Sequence, residues 1–236
     1  MSIKKHIPNT ITCCNLLCGC VSILFTTHNH LLWASAMVFI AAIFDFLDGF
    51  AARALNAKSP IGGELDSLSD VVSFGVAPSF IVAWLLSKTG IGWWVHDANI
   101  FPMLAFILAA FAAVRLAKFN IDTRQSTSFI GLPVPAVGLF IASLPFMLFT
   151  IGNDTIVYKS VMNPYFLLAM VAIFSWLMIS EVPFFSFKIK NLKFKENILR
   201  YFVVIFAILA VTILKWAALP FVFLFYILLS VICYRG

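Results

Sequence analysis

Five of the ten acidic residues fall between positions 45 and 70: Asp45, Asp48, Glu64, Asp66 and Asp70. The spacing of three between Asp45 and Asp48, and of four between Asp66 and Asp70, puts each pair on one face of a helix. The stretch between them, Asn56-Ala-Lys-Ser-Pro-Ile-Gly-Gly63, reads as a turn. It lets two helices pack side by side, with Gly62 and Gly63 permitting a tight bend close to a ligand. Four aspartates then converge on one point. They repel one another unless counter-charge is supplied; Arg53 brings one positive charge, and divalent cations would bring the rest. Oxygen-only ligands favour hard ions such as Mg²⁺ or Mn²⁺. Magnesium keeps substrate phosphate oxygens in its shell, so the chemistry indicated is on a phosphate-bearing substrate. A structural charge network capping two helix ends is the alternative. Gly49 and Ala52, about one turn from Asp48, leave a notch where a flat ring can approach the backbone; helix–helix packing by small residues is the other reading of the same pair.

The elements that must position these acids are membrane helices. Hydrophobic residues make up 62% of the 236 and charged residues only 11%, with mean hydropathy +1.02. An ordinary soluble domain is about half apolar and about a quarter charged. A cytosolic globular protein, a disordered chain and a secreted disulfide scaffold are thereby excluded. The reading is one all-α, polytopic transmembrane bundle over residues 1–236. Eight apolar spans are expected, at roughly 11–28, 31–54, 65–87, 101–119, 132–151, 162–180, 198–214 and 216–234, each near the length a bilayer requires. Carboxylates at membrane depth are expensive and mark functional sites.

The +6 net charge comes from scattered short loops, which argues against nucleic-acid binding. With eight spans, thirteen of the sixteen basic residues fall on the side of the termini, leaving Lys88, Lys159 and Lys215 opposite. This bias puts both termini and the acid cluster in the cytoplasm. Trp33, Trp93, Trp94 and Trp216 then fall near the outer boundary. The basic and apolar alternation of 185–195 suits either a segment along the inner headgroups or a solvated loop. All five cysteines, Cys13, Cys14, Cys18, Cys20 and Cys233, read as helix packing, because none has zinc-site spacing. The apolar run that begins after Pro8 reads as a retained first span rather than a cleaved leader. No internal repeat is visible, which lowers the case for an inverted-repeat transporter. The four histidines, His6, His28, His30 and His96, lie away from the acids.

The string Asp45-Phe-Leu-Asp48-Gly49-Phe-Ala-Ala52-Arg53, eight further residues, then Gly62-Gly-Glu-Leu-Asp66-Ser-Leu-Ser-Asp70, resembles the signature of the CDP-alcohol phosphotransferases at every fixed position. Phe74-Gly75-Val-Ala-Pro78, Arg115-Leu-Ala-Lys-Phe-Asn120 and Gly131-Leu-Pro133-Val-Pro135-Ala136 resemble the phosphatidylserine synthase branch, as does Pro8-Asn9-Thr10-Ile-Thr12 with Asn15 and Gly19. Val134 often reads as serine there. The resemblance covers about residues 8–140.

It implies a homodimeric membrane enzyme with a six-helix core, two divalent metals (Mg²⁺ or Mn²⁺) and CDP-diacylglycerol as donor, transferring a phosphatidyl group to L-serine with release of CMP. Carried onto this sequence, Asp45, Asp48 and Asp66 are metal ligands. Asp70 completes the second metal's shell or acts as the base. Arg53 holds phosphates. Gly49, Ala52, Gly62 and Asp66 border the cytidine diphosphate, and Asn9, Thr12 and Asn15 line the nucleotide pocket, although helix capping explains Thr12 equally well. For serine, Arg115 and Lys118 are carboxylate candidates and Asn120 an amine candidate; for the two cations, anchoring at the cytoplasmic boundary is the alternative. Other readings are the same chemistry with glycerol 3-phosphate or an inositol phosphate as acceptor, and, from a different class, a divalent-cation transporter.

Overall fold

The computed structural model describes residues 6–57, 59–122, 128–185 and 194–233. Its helices in chain order are α1 (His6–Thr27), α2 (Leu31–Ala54), α3 (Pro60–Ser87), α4 (Phe101–Ile121), α5 (Val134–Ile151), α6 (Ile156–Val161), α7 (Pro164–Ile179), α8 (Phe194–Leu214) and α9 (Leu219–Cys233). Two small antiparallel ribbons interrupt them: β1 (Trp94–Val95) with β2 (Ala98–Asn99), and β3 (Ser128–Ile130) with β4 (Pro183–Phe185). The chain is an all-α polytopic membrane bundle, as its composition requires.

Among the described residues, six stretches are long and apolar enough to cross a bilayer. A seventh apolar helix, α7, has 16 residues. The run Ile198–Ile232 counts as one stretch of 35 residues, although the chain turns inside it, where Lys215 takes a left-handed backbone (φ 52°). Large apolar side chains such as Leu17, Phe46, Phe149 and Ile173 are exposed on the outside of the bundle. In water that surface would be a liability; against lipid it is the expected boundary.

α1 and α2 form a long hairpin, α3 packs on both, and α5 closes over α2 and α3. The core joins Val38 and Ala41 of α2, Phe74, Ile81 and Leu85 of α3, Leu108 and Ala112 of α4, Ile141 and Leu144 of α5, and Leu167 and Met178 of α7. Lipid tails are as apolar as these side chains, so close backbone approach rather than hydrophobic transfer holds such a bundle.

That approach centres on the middle of α3. Residues Val71–Val76 form a π turn between two α-helical segments, Pro60–Asp70 and Ala77–Ser87. Three neighbours clasp this turn through glycines. A Cβ on Gly19 of α1 would sit 2.6 Å from Ser73 Oγ and 2.8 Å from its Cα. One on Gly138 of α5 would meet Phe74 Cα at 2.9 Å, and one on Gly75 itself would meet Ala112 Cβ of α4 at 3.0 Å.

Several expectations are corrected. Gly62 and Gly63 are not a turn: α3 begins at Pro60, and both glycines lie in its first helical turn. Ser59 caps that helix, its side chain accepting the Gly62 N–H at 3.1 Å, with Pro60 at the position where a missing N–H is harmless. The third span therefore starts five residues before the expected 65. The bend lies one step earlier. There the Asn56 N–H donates to the Arg53 carbonyl and the Ala57 N–H to the Ala52 carbonyl, while Asn56 adopts φ 50°, a left-handed helix stop of the Schellman type.

The cysteines do not all pack. Cys13 and Cys20 are exposed on α1, Cys14 and Cys18 half-buried, because a helix placed at the edge of a bundle turns part of its circumference to lipid. The Cys233 side chain and residues 186–193 of the basic segment fall outside what is described.

Candidate active site

The last three turns of α2 and the first three of α3 face each other across the Asn56 stop. Asp45 and Asp48 come from the first, Asp66 from the second, and one carboxylate oxygen from each lies within 4.8 Å of the other two. Asp48 is buried, Asp45 and Asp66 half-buried. Asp48 Oδ2 and Asp66 Oδ1 are buried and accept no hydrogen bond. Buried carboxylate oxygens without donors are costly unless a cation satisfies them. The donor set is all oxygen, so these three residues fit a hard divalent ion.

Asp70, one turn beyond Asp66, stands beside the trio rather than within it. It is buried, and its Oδ1 accepts from Asn15 Nδ2 at 3.1 Å. Its charge interacts with those of Asp45, Asp66 and Asp48 and with Arg115 of α4. Arg115 is itself only 5% exposed, and its guanidinium lies 5.0 Å from the centre of the Phe119 ring. Asn15 is fixed in turn, since its backbone carbonyl accepts from Ser73 Oγ at 2.9 Å. A continuous path of hydrogen bonds therefore runs from the π turn through α1 to Asp70.

Beside the acids opens a cleft of about 230 Å³ lined by Pro8, Asn9, Thr12, Asp48, Gly49, Ala52, Ala57, Ser59, Gly62, Gly63 and Asp66. The expected residues Gly49, Ala52, Gly62, Asn9 and Thr12 thus come together on one wall system, next to two of the acids. Arg53 is exposed and lies against Gly49, where an added Cβ would be 3.4 Å from the guanidinium. At Gly62 an added Cβ would stand 3.1 Å from both Asn9 Oδ1 and Ser59 Oγ, so the small residue keeps the cleft open.

Asn15 departs from expectation: it does not line this cleft but holds Asp70. The resemblance carries it to the nucleotide pocket with Asn9 and Thr12; one turn further along α1, its amide meets Asp70 instead. Asn120 departs too, because it exchanges hydrogen bonds with Ser67 at 3.0 and 3.2 Å on the outer side of α3. Arg115 and Lys118 line a second cavity, of about 350 Å³.

Sequence reasoning missed Ser59, Ala57 and Pro8 as cleft residues. The Ser59-Pro60 pair carried the signal, a capping residue followed by proline at the first helical position.

Comparison with known proteins bears on the same region. The family model described as CDP-alcohol phosphatidyltransferase matches residues 5–187, further than the resemblance read from motifs and short of α8 and α9. The CDP-diacylglycerol–serine O-phosphatidyltransferase of Bacillus subtilis is 33% identical over 188 residues, covering 78% of this chain and 92% of the relative. That of Helicobacter pylori is 30% identical over 210 residues, covering 88% and 81%. That of Methanocaldococcus jannaschii is 33% identical over 186 residues, covering 78% and 76%. With the matched segment containing every acid of the cluster and every wall of the cleft, the chain belongs to the CDP-alcohol phosphatidyltransferase family.

Proposed function

We propose that the protein transfers the phosphatidyl group of CDP-diacylglycerol to L-serine, giving phosphatidylserine and CMP, in a reaction that depends on divalent metal. The observation that carries the reading is the trio of carboxylates, with donorless buried oxygens on Asp48 and Asp66, set at the edge of a cleft kept open by the small residues Gly49, Ala52 and Gly62. Relatives named for this reaction, matched over most of their length, support it.

Asp45, Asp48 and Asp66 would hold the metal, with Asp70 at the margin of the second of two Mg²⁺ or Mn²⁺ sites. A divalent ion bound there supplies positive charge against the pyrophosphate and against the charge that develops on departing CMP. The chain's own residues do the rest. Gly49 and Ala52 admit the cytidine ring against the backbone of α2, with Asn9 and Thr12 opposite. Arg53, at the exposed rim, pairs with phosphate oxygens in a bidentate geometry. Asp70 accepts the hydroxyl proton of serine, freeing the oxygen to attack the phosphorus that carries the lipid; CMP leaves with the bond electrons. Asn15 holds the Asp70 carboxylate with one oxygen engaged and the other available.

The same reading makes the protein a homodimer of the cell inner membrane, with both termini and the cleft cytoplasmic. The thirteen-to-three division of basic residues supports that orientation.

The test is CMP release by purified protein given CDP-diacylglycerol and Mg²⁺ or Mn²⁺, with labelled L-serine, glycerol 3-phosphate or inositol phosphate as acceptor. Serine-dependent release that stops with EDTA and returns with the metal is expected. Release with either phosphorylated acceptor but not with serine refutes the assignment of acceptor. Metal flux into liposomes without nucleotide would indicate transport instead.

A further inference from the structure

Between α3 and α4 the chain forms the β1–β2 ribbon, two residues a side, with Trp94 opposite Asn99 and Val95 opposite Ala98. A ribbon that short is marginal on its own; Asn99 pins it. Asn99 Oδ1 accepts the Trp93 N–H and the Phe101 N–H, both at 3.1 Å, and its Nδ2 donates to the Ile91 carbonyl at 3.2 Å. The Ile100 N–H donates to the Trp93 carbonyl at 2.8 Å. Gly92 makes room for the Asn99 amide, since a Cβ there would stand 2.8 Å from it. The rings of Trp93 and Phe101 meet edge to face, centroids 5.4 Å apart, and Phe101 is buried at the start of α4. The ribbon is therefore fixed to the bundle, yet it turns large apolar side chains outward: Trp93 is 56% exposed, Trp94 69% and Val95 50%. His96, in a left-handed backbone at φ 53°, and Asp97 form the tip, both exposed.

What covers that surface follows from where the chain must put it. The ribbon joins two stretches long and apolar enough to cross the membrane, so it sits where they leave the bilayer. Met103 and Ile107, in the first turns of α4, are exposed as well. Indole rings favour the headgroup layer, because an apolar body carries an N–H for polar partners. His96 and Asp97 at the tip oppose any deeper position, since a carboxylate in hydrocarbon is costly. We propose that this ribbon is a lipid-binding anchor, with Trp93 and Trp94 seated in the headgroup layer of the leaflet opposite the acid cluster, and that it sets the depth of α3. α3 has 28 residues, about 42 Å, against a hydrocarbon core of about 30 Å. A helix that long fits the bilayer at several depths and tilts. Asp66 precedes Ser87, the last residue of α3, by 21 residues, about 32 Å along the axis. With the ribbon held in one headgroup layer, the acids stand at the other, level with the phosphates of a lipid substrate.

The experiment uses the full-length protein in phosphatidylcholine vesicles, plain or brominated on the acyl chains close to the headgroup. The emission lost on Trp94→Phe reports Trp94. The bromolipid should quench most of that emission, and aqueous iodide little of it. Quenching by iodide but not by bromolipid places the indole in water, and protection from both places a protein surface over it; either result overturns the anchor. The depth-setting role rests on the function proposed above. Asn99→Ala keeps both indoles but frees the ribbon, so CMP release in vesicles should fall about fivefold. In detergent micelles, which adapt to the apolar belt of the protein, the same variant should stay within about twofold of native. Trp93→Ser combined with Trp94→Ser keeps the bonds of Asn99, removes the indoles and should reproduce this pattern. Equal losses in vesicles and micelles, or no loss in either, overturn the depth-setting role. A native protein that releases no CMP with serine refutes the proposed function instead, and the quenching still decides the anchor.

Discussion

Gly19→Ala separates two opposed effects on one helix. Gly19 is in the interior of α1, where alanine is favoured over glycine by about 1 kcal/mol from backbone entropy. On that ground alone the substitution stabilises. The added methyl, however, would stand 2.6 Å from Ser73 Oγ, 2.8 Å from Ser73 Cα and 3.0 Å from Ser73 N. Two of these atoms are backbone and cannot rotate away. Overpacking of this kind costs about 1–3 kcal/mol, so the net expectation is a loss of about 1 kcal/mol, which lowers Tm by about 2–4 °C for a chain of this size. The displacement has a direction as well. Pushing α1 away from the π turn stretches the bond from Ser73 Oγ to the Asn15 carbonyl, 2.9 Å, and that from Asn15 Nδ2 to Asp70, 3.1 Å. The turnover number should therefore fall by about tenfold, the worth of one hydrogen bond to a charged group, with KM for CDP-diacylglycerol changed less. Thermal unfolding of detergent-solubilised protein and CMP release measure the two quantities. Removing the hydroxyl with Ser73→Ala in the same molecule should restore little, because the methyl still presses on the backbone at position 73. A Gly19→Ala protein as stable and as active as the native one, or full rescue by Ser73→Ala, would refute the claim that backbone approach at Gly19 sets the position of Asp70.

Asp66→Asn should abolish metal-stimulated CMP release, by at least about a thousandfold if electrostatic stabilisation at the phosphates is lost, while circular dichroism stays helical; residual activity within about tenfold of native would remove Asp66 from the metal set. Ser59→Ala deletes the cap on the Gly62 N–H and should lower stability by about 1 kcal/mol, with KM for CDP-diacylglycerol rising because Ser59 also lines the cleft; a change in serine KM alone would contradict this. Asn15→Leu leaves Asp70 without its 3.1 Å donor and should lower the turnover number while nucleotide affinity, read by CDP binding, is retained; weakened nucleotide binding with normal turnover would return Asn15 to the cleft.

The acids were legible because charge is rare in this chain and because spacings of three and four can be read on a helix without knowing its neighbours. The same local reasoning failed at Gly62 and Gly63. Two glycines in a row suggested a bend, yet Ser59 and Pro60 just before them start a helix, and a capped first turn tolerates glycine where an interior turn would not. The resemblance groups Asn15 with Asn9 and Thr12; only the packing of α1 on α3 reveals that its amide reaches Asp70 on another helix. The second cavity was half legible. Arg115 and Lys118 stood out as cations at a helix end, whereas Glu181, which lines the same cavity, lay far along the chain in an apolar stretch. The join that brings it there, from the Gly131 N–H to the Val182 carbonyl, depends on pairing across some fifty residues, which no periodicity encodes.

The π turn has no signature in the apolar pattern, since Val71–Val76 is buried around most of its circumference and any helical period fits it. Its consequence is nevertheless central to the site. One extra residue in a helical turn rotates everything beyond it by about 100° relative to an unbroken α-helix. Asp66 and Asp70 must face the acids of α2, while Ile81 and Leu85, further along α3, must face the core. Pro78 gives a local reason for the shift, because a proline inside an unbroken α-helix would lack a donor to the Phe74 carbonyl and press its ring against that oxygen. With the Ala77 N–H donating instead to the Val72 carbonyl, the helix widens where Pro78 enters. Gly19, Gly75 and Gly138 are then the residues that let three other helices close on the widened turn. The glycines around the π turn and the aspartates one to two turns before it accordingly belong to one device: the first group fixes the rotation of α3, and that rotation decides whether Asp70 points toward Asn15 and the other acids or away from them.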